Sequence, residues 1–164
     1  MVIAKNAIFL KHIQKQLKLR TVKKNYLALV HGKWPESLHE VNVALQKDAV
    51  GDSERVVRVK TTGKPSLTRF AVRQRYRGAT LIEAMPETGR THQIRVHCQY
   101  AGHGIVGDSK YTSKGSSGAL SEVKNLCLHA WKIQFTEPNS ASLIKVEAPL
   151  DNHLDSLLAR LVKI

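Results

Sequence analysis

The chain is short of cysteine, with two in 164 residues, and short of acidic residues, with 13 Asp and Glu against 26 Lys and Arg. Two thiols, Cys98 and Cys127, cannot staple a secreted disulfide scaffold. Both sit in apolar sequence, which suits neither a thiolate nucleophile nor a metal ligand. The scarcity of carboxylates leaves a formal net charge of +13 and a pI near 10.0. A compact domain so basic repels itself unless a polyanion is present, so nucleic acid is the leading partner. No apolar run approaches the ~20 residues of a membrane-crossing helix, and the start lacks the basic and long apolar regions of a secretory signal. These absences point to a cytoplasmic, monomeric protein without membrane contact.

Among the motifs that are missing, Cys-x-x-Cys and His-Glu-x-x-His matter most. His92, His97, Cys98, His103, Cys127 and His129 fit no structural zinc spacing, so no metal site is expected. The five aspartates, Asp48, Asp52, Asp108, Asp151 and Asp155, each fit a turn, a loop or a helix cap.

Hydrophobic residues make up 42% of the chain, a globular composition. Periodicity predicts a short strand over Val2 to Ala4, a helix capped by Asn6 and running to about Leu19, and a strand from Asn25 to His31. Further strands are expected over Val41 to Leu45, Arg55 to Val59 after the Gly51-Asp52-Ser53 turn, Leu67 to Tyr76, Thr80 to Met85, Leu126 to Phe135 and Leu143 to Ala148. Thr91 to about Ala101 reads as a helix, Ser113 to Ser121 as a loop, and Asp151 as the cap of a last helix. About eight strands clustered as hairpins, with three helices, argue α+β with a largely antiparallel sheet in one domain, residues 1–164.

Glu87 to His97 reads Glu-Thr-Gly-Arg-Thr-His-Gln-Ile-Arg-Val-His. A glycine turn ahead of a helix start presents free backbone N–H groups and the positive end of the dipole. Two arginines add donor forks matched to phosphate or carboxylate. On the helix, His92, Arg95 and Gln99 can share a face. In the strand Leu67 to Tyr76, strict alternation puts Arg69, Arg73 and Arg75 on one side, either a solvated face or a stripe that tracks phosphates. Tyr26 reads as core filling, as a stacking surface for a base, or as a proton-transfer group.

Four segments occur in order: Lys-x-Tyr-x-Ala-Leu-Val-x-Gly (Lys24 to Gly32), Gly-Lys-Pro-Ser-x-Thr-Arg-Phe (Gly63 to Phe70), Thr-Gly-Arg-Thr-His-Gln-Ile-Arg-Val-His (Thr88 to His97) and Leu-His-Ala (Leu128 to Ala130). Together they resemble the RluA-type pseudouridine synthases over almost the whole chain. The runs Ser53 to Val59 and Gln99 to His103 look most like the type acting on large-subunit ribosomal RNA, the C type. The resemblance implies a cofactor-free isomerisation of uridine to pseudouridine in that RNA, with the base flipped into a pocket. It implies Tyr26 as the catalytic tyrosine and Arg95 as the arginine that pairs with a nucleophilic aspartate. It further implies Ile94 as an apolar wall and Arg90 and His92 as substrate supports, which leaves Arg69 and Arg73 for phosphates.

The family's nucleophile lies in His-Arg-x-Asp-x-x-Thr-Ser-Gly, and this sequence contains no such run. Met1 to Lys5 resembles the strand that follows it. The expectation is therefore a C-terminal fragment, inactive alone, in which Arg95 is half of an ion pair. The competing expectation is a nucleophile-free protein of the same fold that binds RNA without chemistry. A third is an active enzyme that uses Asp108.

Overall fold

The computed structural model describes residues 2–50, 54–111 and 119–164. The expected Gly51-Asp52-Ser53 turn and most of the Ser113 to Ser121 loop lie outside the described residues. Residues 119 to 122 form one turn of 3-10 helix.

Seven strands form one sheet: β1 (Lys23–His31), β2 (Glu40–Val50), β3 (Glu54–Val59), β4 (Lys64–Tyr76), β5 (Ala79–Pro86), β6 (Leu128–Thr136) and β7 (Leu143–Glu147). Their spatial order is β3-β2-β4-β5-β1-β6-β7, and every neighbouring pair is antiparallel. The α+β class and the antiparallel sheet stand as read from periodicity. Val2 to Ala4 is not a strand, because three apolar residues without a cross-strand partner gain no ladder bonds.

Among the described residues three α-helices complete the fold: α1 (Ala7–Leu19), α2 (Gln93–Tyr100) and α3 (Asn152–Arg160). Asn6 caps α1 by accepting from the Phe9 amide at 2.8 Å. Asp151 caps α3 by accepting from Leu154 at 2.9 Å. Of the expected α1 stripe Ile13 is buried, while Leu10 and Leu17 stay exposed. That helix is anchored by a small apolar cluster of Ile13 and Phe9 with Val22 and Phe135, and by the Gln16 amide, which bonds both the N–H and the carbonyl of Thr136. None of the described helices is long and apolar enough to cross a membrane.

Cross-strand partners share a sheet face. Phe70 pairs with Ala84, Ala84 with Tyr26, and Tyr26 with Ala130, so these four point to one side. Helix α2 lies on that side, where Gln93 reaches Thr68 and His97 reaches Ser66. Ala71, Glu83 and Leu27 point to the other.

Two bulges break the expected alternation. In β4, Val72 pairs with Ile82 and Gln74 with Leu81, so Arg73 is the extra residue. The phase flips there, and Arg75 is carried onto the Phe70 face, where it donates to the Trp34 carbonyl and pairs with Glu36. The predicted row of three guanidiniums is therefore cut to two. In β6, Ala130 pairs with Tyr26 and Lys132 with Asn25, leaving Trp131 as the extra residue. A bulge re-aims side chains in this way because two residues then oppose one.

Candidate active site

Gln93 builds the loop ahead of α2. Its side chain is buried, and its Oε1 accepts from the Arg90 amide at 2.9 Å and the Thr88 hydroxyl at 2.7 Å. Its Nε2 donates to the Leu67 carbonyl at 3.0 Å and the Thr68 hydroxyl at 2.9 Å. Four bonds from one amide tie residues 88–90 to β4. The Arg90 N–H, expected to be free for an anion, is thus already taken. Gln93 escaped the sequence reading, because nothing in a helical pattern marks a glutamine that bonds backward to its own lead-in loop.

His92 precedes α2 in the left-handed region, with φ 53°. Its ring reaches out of the helix, and its Nδ1 lies 2.9 Å from the Tyr111 hydroxyl. That hydroxyl also accepts from the Val57 amide at 2.9 Å, so it spends its own proton on His92. Burial lowers the pKa of His92, helped by the charges of Arg95, Lys110 and Lys47 against the opposing pull of Asp108. The imidazole is accordingly a neutral acceptor at Nδ1.

Arg95 is held on three sides. Its Nε and Nη2 donate to the two oxygens of Asp108 at 2.7 Å each, and its guanidinium lies 4.8 Å from the centre of the Tyr111 ring. The Asp108 side chain has no exposed surface, and its Oδ1 also accepts from the Lys110 and Tyr111 amides at 2.9 Å. Burial alone would raise the Asp108 pKa. The Arg95 bond and the two amides outweigh it and hold the carboxyl below its ordinary value.

The idea that Arg95 lacks a carboxylate in this chain is therefore corrected. Asp108 meets it with a matched two-point contact across 13 residues of sequence, a distance no local pattern reveals. The same geometry argues against Asp108 as a nucleophile, since its lone pairs are engaged and solvent does not reach it.

Tyr26, Arg90, His92, Ile94 and Arg95 line one cavity of about 240 Å³, with Lys24 on its rim. Five of the seven residues singled out from sequence thus converge. Tyr26 is half-buried, and burial raises its pKa, so the phenol keeps its proton at neutral pH. No carboxylate lines the cavity among the described residues. Gln99 is exposed and takes no part.

The other two residues are elsewhere. Arg73 pairs with Glu83 at 3.6 Å and sits 5.3 Å from the Trp131 ring, on the face turned away from Tyr26. Arg69 pairs with Glu87 at 2.6 Å and with Glu40 at 3.4 Å, and pairs across strands with Met85 on that same far face.

Among the described residues no three His, Cys, Asp or Glu side chains come together as metal ligands. Both cysteines are buried, and burial pushes the Cys127 thiol up to about 11 and Cys98 higher still.

Comparison with known proteins bears on this arrangement. The chain is 43% identical over 163 residues to ribosomal large subunit pseudouridine synthase C of Haemophilus influenzae, covering 98% of the chain and 51% of that protein. It is 42% identical over 165 residues to the protein of the same name from Escherichia coli K12, covering 98% and 52%. The chain thus spans about half the length of these curated relatives. The structure of human RNA pseudouridylate synthase domain containing 1 superposes with a TM-score of 0.79 at 30% identity, over 98% of this chain and 67% of that one. Human RNA pseudouridylate synthase domain containing 4 gives 0.79 at 22%, over 98% and 70%, a likeness of fold. The profile described as RNA pseudouridylate synthase matches residues 1–100, which takes in the cavity's whole β1 and α2 wall, and the chain belongs to that family.

Proposed function

We propose that the whole protein converts uridine to pseudouridine in large-subunit ribosomal RNA, with the target base held in the Tyr26–Arg95 cavity. The observation that carries this reading is the convergence of Tyr26, Arg90, His92, Ile94 and Arg95 on one small cavity. At about 240 Å³ it falls below the ~300–1,000 Å³ of sites for drug-sized ligands, as suits one base swung out of a strand.

The reaction breaks the C1′–N1 bond of uridine and forms a C1′–C5 bond, with a proton lost from C5 and one gained at N1. Electrons and atoms balance within the substrate, so the step calls for no cofactor. Tyr26 offers a protonated phenol and a ring against which the flipped base stacks. Ile94 supplies an apolar wall. Arg95 gives Nε and Nη2 to Asp108, and Nη1, without a partner among the described residues, is left for the second carboxylate that the proposed chemistry uses. Asp108 serves to fix the guanidinium plane.

We assign that second carboxylate to chain outside these 164 residues, because none lines the cavity among the described residues and Asp108 is closed off. These residues alone are then inert, and they form the single-domain body of the enzyme. The test is conversion of uridine in large-subunit ribosomal RNA. The 164 residues alone should give none. Chain carrying the preceding coding segment should turn over, and Tyr26→Phe should lower its rate at least about a hundredfold, the scale of a lost proton-transfer group. Turnover by the 164 residues alone sinks the assignment of the nucleophile. RNA binding with no turnover in the longer chain favours a binding protein instead.

A further inference from the structure

A second cavity, of about 460 Å³, lies beside the first and is lined by Leu45, Lys47, Val57, Lys64 and Arg90 among others. Gly89 and Arg90 line both cavities, so one thin wall separates them. Gly89 has no side chain to thicken that wall.

Three observations converge on a ligand. First, among the described residues the lining carries three cations and no carboxylate, and neither Lys47 nor Lys64 has an ion-pair partner there. Both are exposed, which leaves their ammonium groups free to move onto an anion. Second, Leu45 and Val57 are buried apolar residues that pack with Val96 and Tyr111, giving an apolar floor beneath the charges. Third, Lys47 pairs with Val57 and Lys64 with Leu45, placing all four on the α2 side of the sheet, the side of Tyr26. The charge of Lys47 is felt at His92, so the two cavities are electrostatically joined.

A floor for a base and two loose cations for a phosphate describe a nucleotide, and the shared wall places it next to the target. We propose that this cavity holds a nucleotide flanking the flipped uridine in the same RNA strand, with Lys47 and Lys64 on its phosphates and Arg90 between it and the target. The rival location is the cavity of about 460 Å³ beside Arg69. It lies toward the far face; beside Arg20, Lys23 and Lys24 its lining carries the carboxylate of Glu87, and its Arg69 is already paired with Glu87 and Glu40.

The proposal rests on the RNA reading above and is tested by binding, not turnover. Fluorescence anisotropy of a uridine-centred single-stranded RNA oligonucleotide from the large subunit would be followed over a salt series. Lys47→Ala combined with Lys64→Ala should weaken binding about tenfold at low salt. It should also reduce the salt slope by about 1.4, since each single-strand phosphate contact contributes about 0.7. Lys47→Arg with Lys64→Arg should keep the slope. Unchanged affinity and slope in the double alanine variant overturns the proposal. So does an equal loss from Arg20→Ala with Lys23→Ala at the rival cavity, which would make the effect one of total charge. A wild-type chain that binds no RNA at low salt overturns the RNA reading itself.

Discussion

Arg95 and Asp108 meet edge to edge, both contacts at 2.7 Å, with the carboxylate wholly enclosed and the guanidinium largely so. Such a pair is weak as a source of stability against an apolar replacement, yet breaking it strands a charge. Asp108→Asn keeps the shape and removes the charge. It should cost about 3 kcal/mol in a urea titration, and a loss under ~1 kcal/mol would show that Arg95 finds compensation elsewhere.

Tyr111 is the second support. Tyr111→Phe removes the acceptor of the buried Val57 N–H and the donor to His92 Nδ1. The unsatisfied amide should cost about 1–3 kcal/mol. Because the lost bond favoured neutral imidazole, the pKa of His92 should rise in an NMR titration. A fall, or no change, would mean that the hydroxyl does not hold His92.

His97 makes the fold sensitive to mild acid. The ring is fully buried, and its Nε2 donates to Ser66 Oγ at 2.8 Å, since that hydroxyl gives its own proton to the Val43 carbonyl. Its Nδ1 has no partner among the described residues, so a proton there would be stranded. Burial lowers its pKa to about 4, against ~6.5 in the unfolded chain. Between those values the unfolded chain binds more protons, so stability falls as pH drops from ~6.5 toward 4. The loss is on the order of 1–3 kcal/mol. Denaturation midpoints of wild type and His97→Gln across that window check it, and parallel curves would refute the assignment.

Gly107 precedes the Asp108 turn with φ 76°, and an added Cβ would strike the backbone carbonyl of Asn125. Gly78, with φ 81°, has open space around it. Gly107→Ala should therefore cost more than ~2 kcal/mol, and Gly78→Ala only the ~1 kcal/mol of backbone strain. Equal thermal shifts for the two would show that the Asn125 contact yields easily.

Much of this was legible before any coordinates. Cap residues such as Asn6 and Asp151 act within one helical turn, so sequence finds them. Tyr26, Arg90, His92, Ile94 and Arg95 lie in two ordered motifs whose resemblance to a known family brought them together. Asp108 reads from sequence as an ordinary turn residue or a substitute nucleophile, and Tyr111 is not singled out, because the work of both is done through tertiary contacts that a Gly-Asp pair does not reveal. Lys47 and Lys64 were missed because a lysine on a strand looks like a solvated face until a cavity is seen beside it. Arg69 and Arg73 looked like a phosphate stripe because alternation records which residues share a side. It does not record which side faces the cavity, nor that Glu83 and Glu87 are waiting there.

The bulge at Arg73 sets a phase. Everything in β4 beyond it, including buried Tyr76 and the Arg75 contact to Trp34, is correctly aimed only because the strand carries one residue more than its neighbour. Removing Arg73 would turn an exposed position into a frameshift of side-chain direction, sending Tyr76 toward the wrong face and Arg75 away from Glu36. At this position the count of residues matters more than their kind, and changes in length should be tolerated far less than changes in chemistry.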